Sequence, residues 1–136
     1  MTGNFTVDLS KLKAGVRKKL SEEPARRRKA MFEVAGFCSA EAKKRAPFWQ
    51  GFLTADITGE AAMDGKTVAA LIYVPANGQS ASYAVQMHEG EYNLGPNSLA
   101  KQARVNVTVG NRFITRAIDE NREKIMEIIV KGLMEK

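Results

Sequence analysis

Arg45-Ala46-Pro47-Phe48-Trp49-Gln50-Gly51-Phe52-Leu53 divides this chain in two. Before it runs a stretch of helix-forming residues dense in arginine and lysine; after it the pattern turns to period-two alternation. Pro47 disfavours the α region for Ala46, so a helix arriving from the left stops there. Gly51 supplies a backbone position free of side-chain restriction before the next element. Between these breakers lie Phe48 and the only tryptophan, Trp49, and Phe52 follows directly. Two readings of the aromatics are open. They pin a corner to the core by burial, or they stand outside as a loop that docks on another subunit.

Leftward, Asp8 is a good N-cap for a first helix whose apolar stripe is Leu9, Leu12, Val16 and Leu20, with Lys11, Lys18 and Lys19 opposite. Ser21-Glu22-Glu23-Pro24 breaks that helix and opens a second one, since acids and proline both suit a helix entrance. The second helix is expected from about Pro24 to Arg45 with Met31, Val34, Ala35, Cys38, Ala42 and Ala46 inward. Arg26, Arg27, Arg28 and Lys29 spread around one turn and cannot all point into a core. With Lys43, Lys44 and Arg45 they are the candidate contacts for a polyanion or for an acidic protein surface.

Rightward, Leu53 to Met63 alternates as a half-buried strand, Asp64-Gly65 signals a tight hairpin, and Lys66 to Val74 is apolar on both faces after Thr67, as a central strand is. Residues 81–90 fit a strand through Tyr83, Val85 and Met87, or a short helix started by Ser82 and ended by Gly90; the helix is the preferred reading. Glu91 to Gln102 reads as a long loop and Val105, Val107 and Val109 as a last strand. A final helix follows Asn111, burying Ile114, Ala117, Ile118, Ile125, Ile128, Ile129 and Leu133, with Glu120–Lys124 and Glu127–Lys131 paired on its wet side. The order predicts a single α+β domain over residues 1–136: a small antiparallel sheet of three to four strands packed by two N-terminal helices and a long C-terminal helix. Its parts are a basic helical stretch (1–46), sheet and loops (47–110) and the closing helix (111–136).

Charge sharpens this division. The 136 residues carry a net charge of +6, but residues 1–46 hold 12 Lys/Arg against 5 Asp/Glu and residues 47–136 hold 9 against 10. The basicity belongs to the leading helices. One cysteine, Cys38, excludes an internal disulfide and sits on an apolar stripe, so a buried inert thiol is expected. The longest wholly apolar run, Val68 to Pro75, is too short to cross a bilayer, and no apolar signal core opens the chain, so an intracellular protein without membrane contact is expected.

Chemistry is hard to find. His88, Glu89 and Glu91 match no dense metal-ligand spacing, no glycine-rich phosphate loop or nucleophile elbow occurs, and neither catalytic residue, metal nor cofactor is expected. His88 and Glu89 read instead as structural or partner-docking residues.

Three motifs carry a family resemblance. Lys43-Lys44-Arg45-Ala46-Pro47-Phe48-Trp49-Gln50-Gly51-Phe52-Leu53, Tyr83-Ala84-Val85-Gln86-Met87-His88-Glu89-Gly90 and Gly110-Asn111-Arg112-Phe113-Ile114-Thr115-Arg116-Ala117-Ile118-Asp119-Glu120-Asn121 resemble, in order, three blocks of the tail-component proteins (tail completion, neck or minor capsid) of long-tailed bacteriophages and prophages. The family often has Val-Asp-Thr before the glycine where this chain has Phe48-Trp49-Gln50, and a proline where it has Asn111-Arg112. The resemblance implies a non-enzymatic virion protein, made in the host cytoplasm and assembled as a homo-oligomeric ring at the head–tail junction. Its implied neighbours are the head connector or stopper, the tail terminator and the tail tube, with non-specific contact to passing DNA. Phe48, Trp49, Phe52, His88 and Glu89 would then be the docking residues. The alternative is a basic nucleic-acid-binding module without sequence specificity.

Overall fold

The computed structural model describes residues 5–6, 24–64 and 67–134. The first expected helix, from Asp8 to Leu20, lies outside these residues. The described elements are β1 (Phe5–Thr6), α1 (Pro24–Arg45), α2 (Phe52–Asp56), β2 (Thr58–Asp64), β3 (Thr67–Tyr73), α3 (Ala81–Glu89), α4 (Pro96–Val105), α5 (Phe113–Asp119) and α6 (Arg122–Met134). The class is α+β, with six helices among the described residues.

α1 is the spine. It opens on Pro24, where a missing N–H leaves no helical bond unmade, and closes with Lys43, Lys44 and Arg45 at the negative end of its dipole. Met31, Val34, Ala35, Cys38 and Ala42 are fully buried along one stripe. One side of that stripe lies on the sheet. Any side chain at Gly59 would run into the Ala35 carbonyl, so glycine there lets strand and helix backbones meet. The other side packs against α5 and α6 through Phe113, Ile114, Ala117, Ile125 and Ile129. Each large apolar side chain wholly buried here contributes about 1.5–3 kcal/mol.

The sheet is an antiparallel hairpin, from Thr58 opposite Tyr73 to Asp64 opposite Thr67, and β1 pairs along the other edge of β3, Phe5 opposite Ile72. Val68, Ala70 and Ile72 point into the core while Ala69, Leu71 and Tyr73 are half-buried on the reverse face. The base of the hairpin is closed by Asp56, whose Oδ2 accepts from both Ser80 N and Ser80 Oγ at 2.7 Å. α3 begins at the next residue.

Four expectations are corrected. Residues 52–56 are helical rather than the start of a strand: Leu53 and Ile57 are both buried and stand four apart, a spacing that serves a helix as well as an alternating strand. The loop expected over Glu91–Gln102 contains α4, entered through Pro96 at its first turn. The strand expected around Val105–Val109 does not form. Asn106 ends α4 in the left-handed conformation, and neighbouring groups take the next backbone positions: Gln102 Oε1 accepts from Val109 N at 2.9 Å, Arg116 donates to Thr108 O at 2.7 Å, and Gly110 N donates to Arg45 O at 2.9 Å.

Finally, the closing helix is two helices. Asn121 donates its side-chain amide to Ala117 O at 2.8 Å and interrupts the ladder. The expected surface pairs are rearranged accordingly: Glu120 binds Arg45 at 3.0 Å, and Lys124 meets Glu127 at 3.8 Å.

A candidate docking groove

The chain leaves α1 at Arg45 and turns through Pro47 to Gly51, which takes a left-handed φ of 86°. A side chain at Gly51 would press on the Phe48 ring at 3.2 Å, so the glycine lets the chain wrap around that ring. Phe48 is half-buried beneath the turn. Trp49 is 72 % exposed and Phe52 37 % exposed, so the tryptophan does not pin the corner to the core. Of the two readings of this loop, the geometry of Trp49 fits the outward-facing one.

α4 forms the facing wall. Ser98 is buried and clasps Phe48 at both ends of its peptide: Phe48 N donates to Ser98 Oγ at 2.8 Å and Ser98 Oγ donates to Phe48 O at 3.1 Å. Asn97 Nδ2 donates to Trp49 O at 3.3 Å. One turn on, Lys101 is 4 % exposed and inserts into the C-terminal end of α1. Its ammonium donates to Lys43 O at 2.5 Å, Ala46 O at 2.7 Å and Thr54 Oγ1 at 3.1 Å. Burial, with the charge of Arg104, pulls Lys101 down to about 8. The only buried side chains of α4 are thus polar, and its Leu99 is half exposed.

Between these walls lies a groove of about 430 Å³, lined by Phe48, Trp49, Phe52, Tyr83, Met87, Tyr92 and Leu94 among others, with no charged side chain in its lining. Tyr92 donates its hydroxyl to Met87 O at 2.7 Å, and burial pushes its phenol up to about 12 against the opposing charge of Arg116. Burial and then the Asp56 charge raise Tyr83 as well. Uncharged, aromatic and open, the groove is built to hold apolar surface rather than to move protons.

The other candidate residues are scattered. His88 is 3 % exposed, stacks edge-on against Phe113 at 4.8 Å between ring centroids and meets Glu89 through Nδ1 at 3.0 Å, so it reaches no partner; its Nε2 is buried with no hydrogen-bond partner. Glu89 is exposed beside Arg112 at 4.0 Å. Arg45 is corrected in the same way. It is 3 % exposed, held by Glu120 at 3.0 Å and by Glu41 at 3.2 Å, and unavailable to DNA or an acidic neighbour. Burial opposes ionisation of Glu41, but its hydrogen bonds to Lys44 and Arg45 and their charges prevail and hold the carboxyl below its usual range. Lys44 is paired with Glu41 at 2.6 Å, Lys43 is half-buried, Arg26 and Arg27 are half-buried, and Arg28 and Lys29 are exposed. Cys38 is a free buried thiol pushed up to about 12 by burial and the Glu41 charge.

Among the described residues no cluster of three or more His, Cys, Asp or Glu could hold a metal ion, and no helix is long and apolar enough to cross a membrane. Sequence reasoning found the aromatic wall but missed Ser98, Lys101 and Tyr92. The signal for the facing wall was Gly95-Pro96, a helix entrance. Comparison with protein-family models, curated proteins and solved structures found no match.

Proposed function

We propose that this protein is a structural component of the phage head–tail interface, of tail-completion or neck type. It joins head connector to tail tube within a homo-oligomeric ring and acts by docking, not by catalysis. The observation that carries this reading is the exposed Trp49, with Phe52, bordering a groove whose lining has no charge. Aromatic side chains held outside on a fixed turn are typical anchors of protein interfaces. The three sequence blocks resembling tail components supply the identity of the assembly. The reading also carries the finer architecture of a three- to four-stranded sheet with two N-terminal helices, and residence in the host cytoplasm before incorporation into the virion. A sequence-blind nucleic-acid module is the weaker reading, since Arg45 is internal and Lys44 is paired to Glu41.

The test is the double variant Trp49→Ala/Phe52→Ala, followed by native mass spectrometry with connector and tail-tube partners and by particle complementation. The variant is expected to fold, yet fail to join the complex or complete particles. A folded variant that assembles like wild type overturns the reading.

A further inference from the structure

A second cleft, of about 340 Å³, lies between α1 and α6. Ala30 and Gly132 both line it, and a side chain at Gly132 would meet the Ala30 methyl at 3.0 Å. That contact brings Lys29, next to Ala30, into the neighbourhood of Lys131, next to Gly132, and Arg26 one turn earlier on α1 lines the same cleft. Among the described residues, none of these three makes an ion pair, whereas Lys124, farther along α6, meets Glu127 at 3.8 Å. Glu33 and Glu127 also line the cleft, so four cations face two carboxylates there. The cleft thus carries a surplus of positive charge, which an incoming anion offsets.

We propose that this cleft is a binding site for the phosphodiester backbone of nucleic acid, contacted by Arg26, Lys29 and Lys131. The shape of the charge favours an extended polyanion over a single phosphate. Arg26 and Lys29 stand about one turn apart on α1 and Lys131 lies across from them on α6, so the cations are spread along both walls of the cleft. No base-reading element accompanies them, so contact is blind to sequence. The site deepens the DNA-contact element of the head–tail reading and rests on it only for the presence of DNA. Its residues lie outside the docking groove, so either can fail without the other.

The experiment is fluorescence anisotropy of the full chain with a labelled mixed-sequence DNA duplex over a chloride series. Wild type is expected to bind weakly at low salt, with a slope of log affinity against log salt near −3, from about −0.9 per phosphate neutralised. Lys29→Glu/Lys131→Glu should weaken binding at least about tenfold and flatten the slope by about 2. The milder Lys29→Ala/Lys131→Ala, with an unchanged thermal melt, should show the same direction and so guards against misfolding. Arg104→Glu/Arg28→Glu, of equal charge change outside the cleft, should stay within about twofold of wild type. Equal loss in both charge-reversal variants overturns the proposal in favour of net charge alone. Absence of duplex binding at low salt also overturns it. So does displacement by inorganic phosphate beyond that of chloride at matched ionic strength, which identifies a small-anion site.

Discussion

Lys101→Met tests how helix α4 is fastened to the rest of the protein. In the native chain the ammonium has three N–H groups and meets three acceptors, Lys43 O, Ala46 O and Thr54 Oγ1. Methionine fills similar space and supplies no donor. Two effects then oppose each other at neutral pH. Each acceptor left dry costs about 1–3 kcal/mol, while removing a buried charge returns up to about 3 kcal/mol, the energy of drawing the group from its ordinary value down to about 8. A net loss of about 1–3 kcal/mol is expected at neutral pH, because three acceptors are stranded for one charge relieved.

The pH dependence separates the two effects. The folded pKa lies below the unfolded one, so between about 8 and 10.5 the unfolded chain holds the proton that the folded chain has released. Wild-type stability therefore rises with pH through that window, and the burial penalty is fully present below it. The variant has no such group. Urea midpoints of both proteins, taken between about pH 7 and about pH 10, should show the stability gap widening by up to about 3 kcal/mol. A gap that stays flat or narrows would refute the reasoning, because the three acceptors would then be holding the proton against burial.

Trp49→Ala alone should change stability by less than about 1 kcal/mol, since the side chain is largely in water; a loss several times larger in chemical denaturation would place it in the core after all. Arg45→Met leaves Glu41 to Lys44 alone, takes from Glu120 its 3.0 Å partner and is expected to cost about 1–3 kcal/mol. A near-neutral melting shift there would show that the buried pair is replaceable by apolar packing. Gly59→Ala forces a methyl group against the Ala35 carbonyl and should cost about 1–3 kcal/mol, with the same measurement contradicting the close strand–helix approach if stability is unchanged.

The parts of the fold legible in the sequence are those fixed by local rules. Pro24 and Pro47 bracket α1, and Asp64-Gly65 marks where the hairpin falls, although Asp64 itself is still paired, opposite Thr67, at the end of β2. The failures share a cause. Leu53 and Ile57 satisfy two periodicities at once, so only packing against α1 chooses helix for residues 52–56. Val105, Val107 and Val109 alternate as a strand should, yet their backbone is claimed by Gln102, Arg116 and the left-handed turn at Asn106, none of which periodicity can weigh. At the groove, the aromatics were visible but their exposure was not. It depends on where α4 sits, and that position is set by bonds from Ser98 and Lys101 to residues about fifty positions earlier. Arg45 hides its place for the same reason, since a charge suggests surface until a distant partner such as Glu120 is known, and of the two readings of His88 its burial against Phe113 fits the structural one.

The clasp of Asp56 on Ser80 also bears on the order in which the chain assembles. Those residues are 24 apart, and bringing such ends together in an open chain carries an entropic cost that grows with the length of the loop. The hairpin divides that cost into small steps. Asp64 opposite Thr67 is its most local pair, and each further pair, out to Thr58 opposite Tyr73, shortens what is left to close. Once the strands have zipped, Asp56 and Ser80 are already neighbours. α3 starts at Ala81, so its first turn follows directly on the Ser80 end of that clasp, and Tyr83 and Met87 run on from it to the groove wall. One wall of the docking surface is thus carried on a hairpin whose own contacts are short-range, of the kind that form quickly.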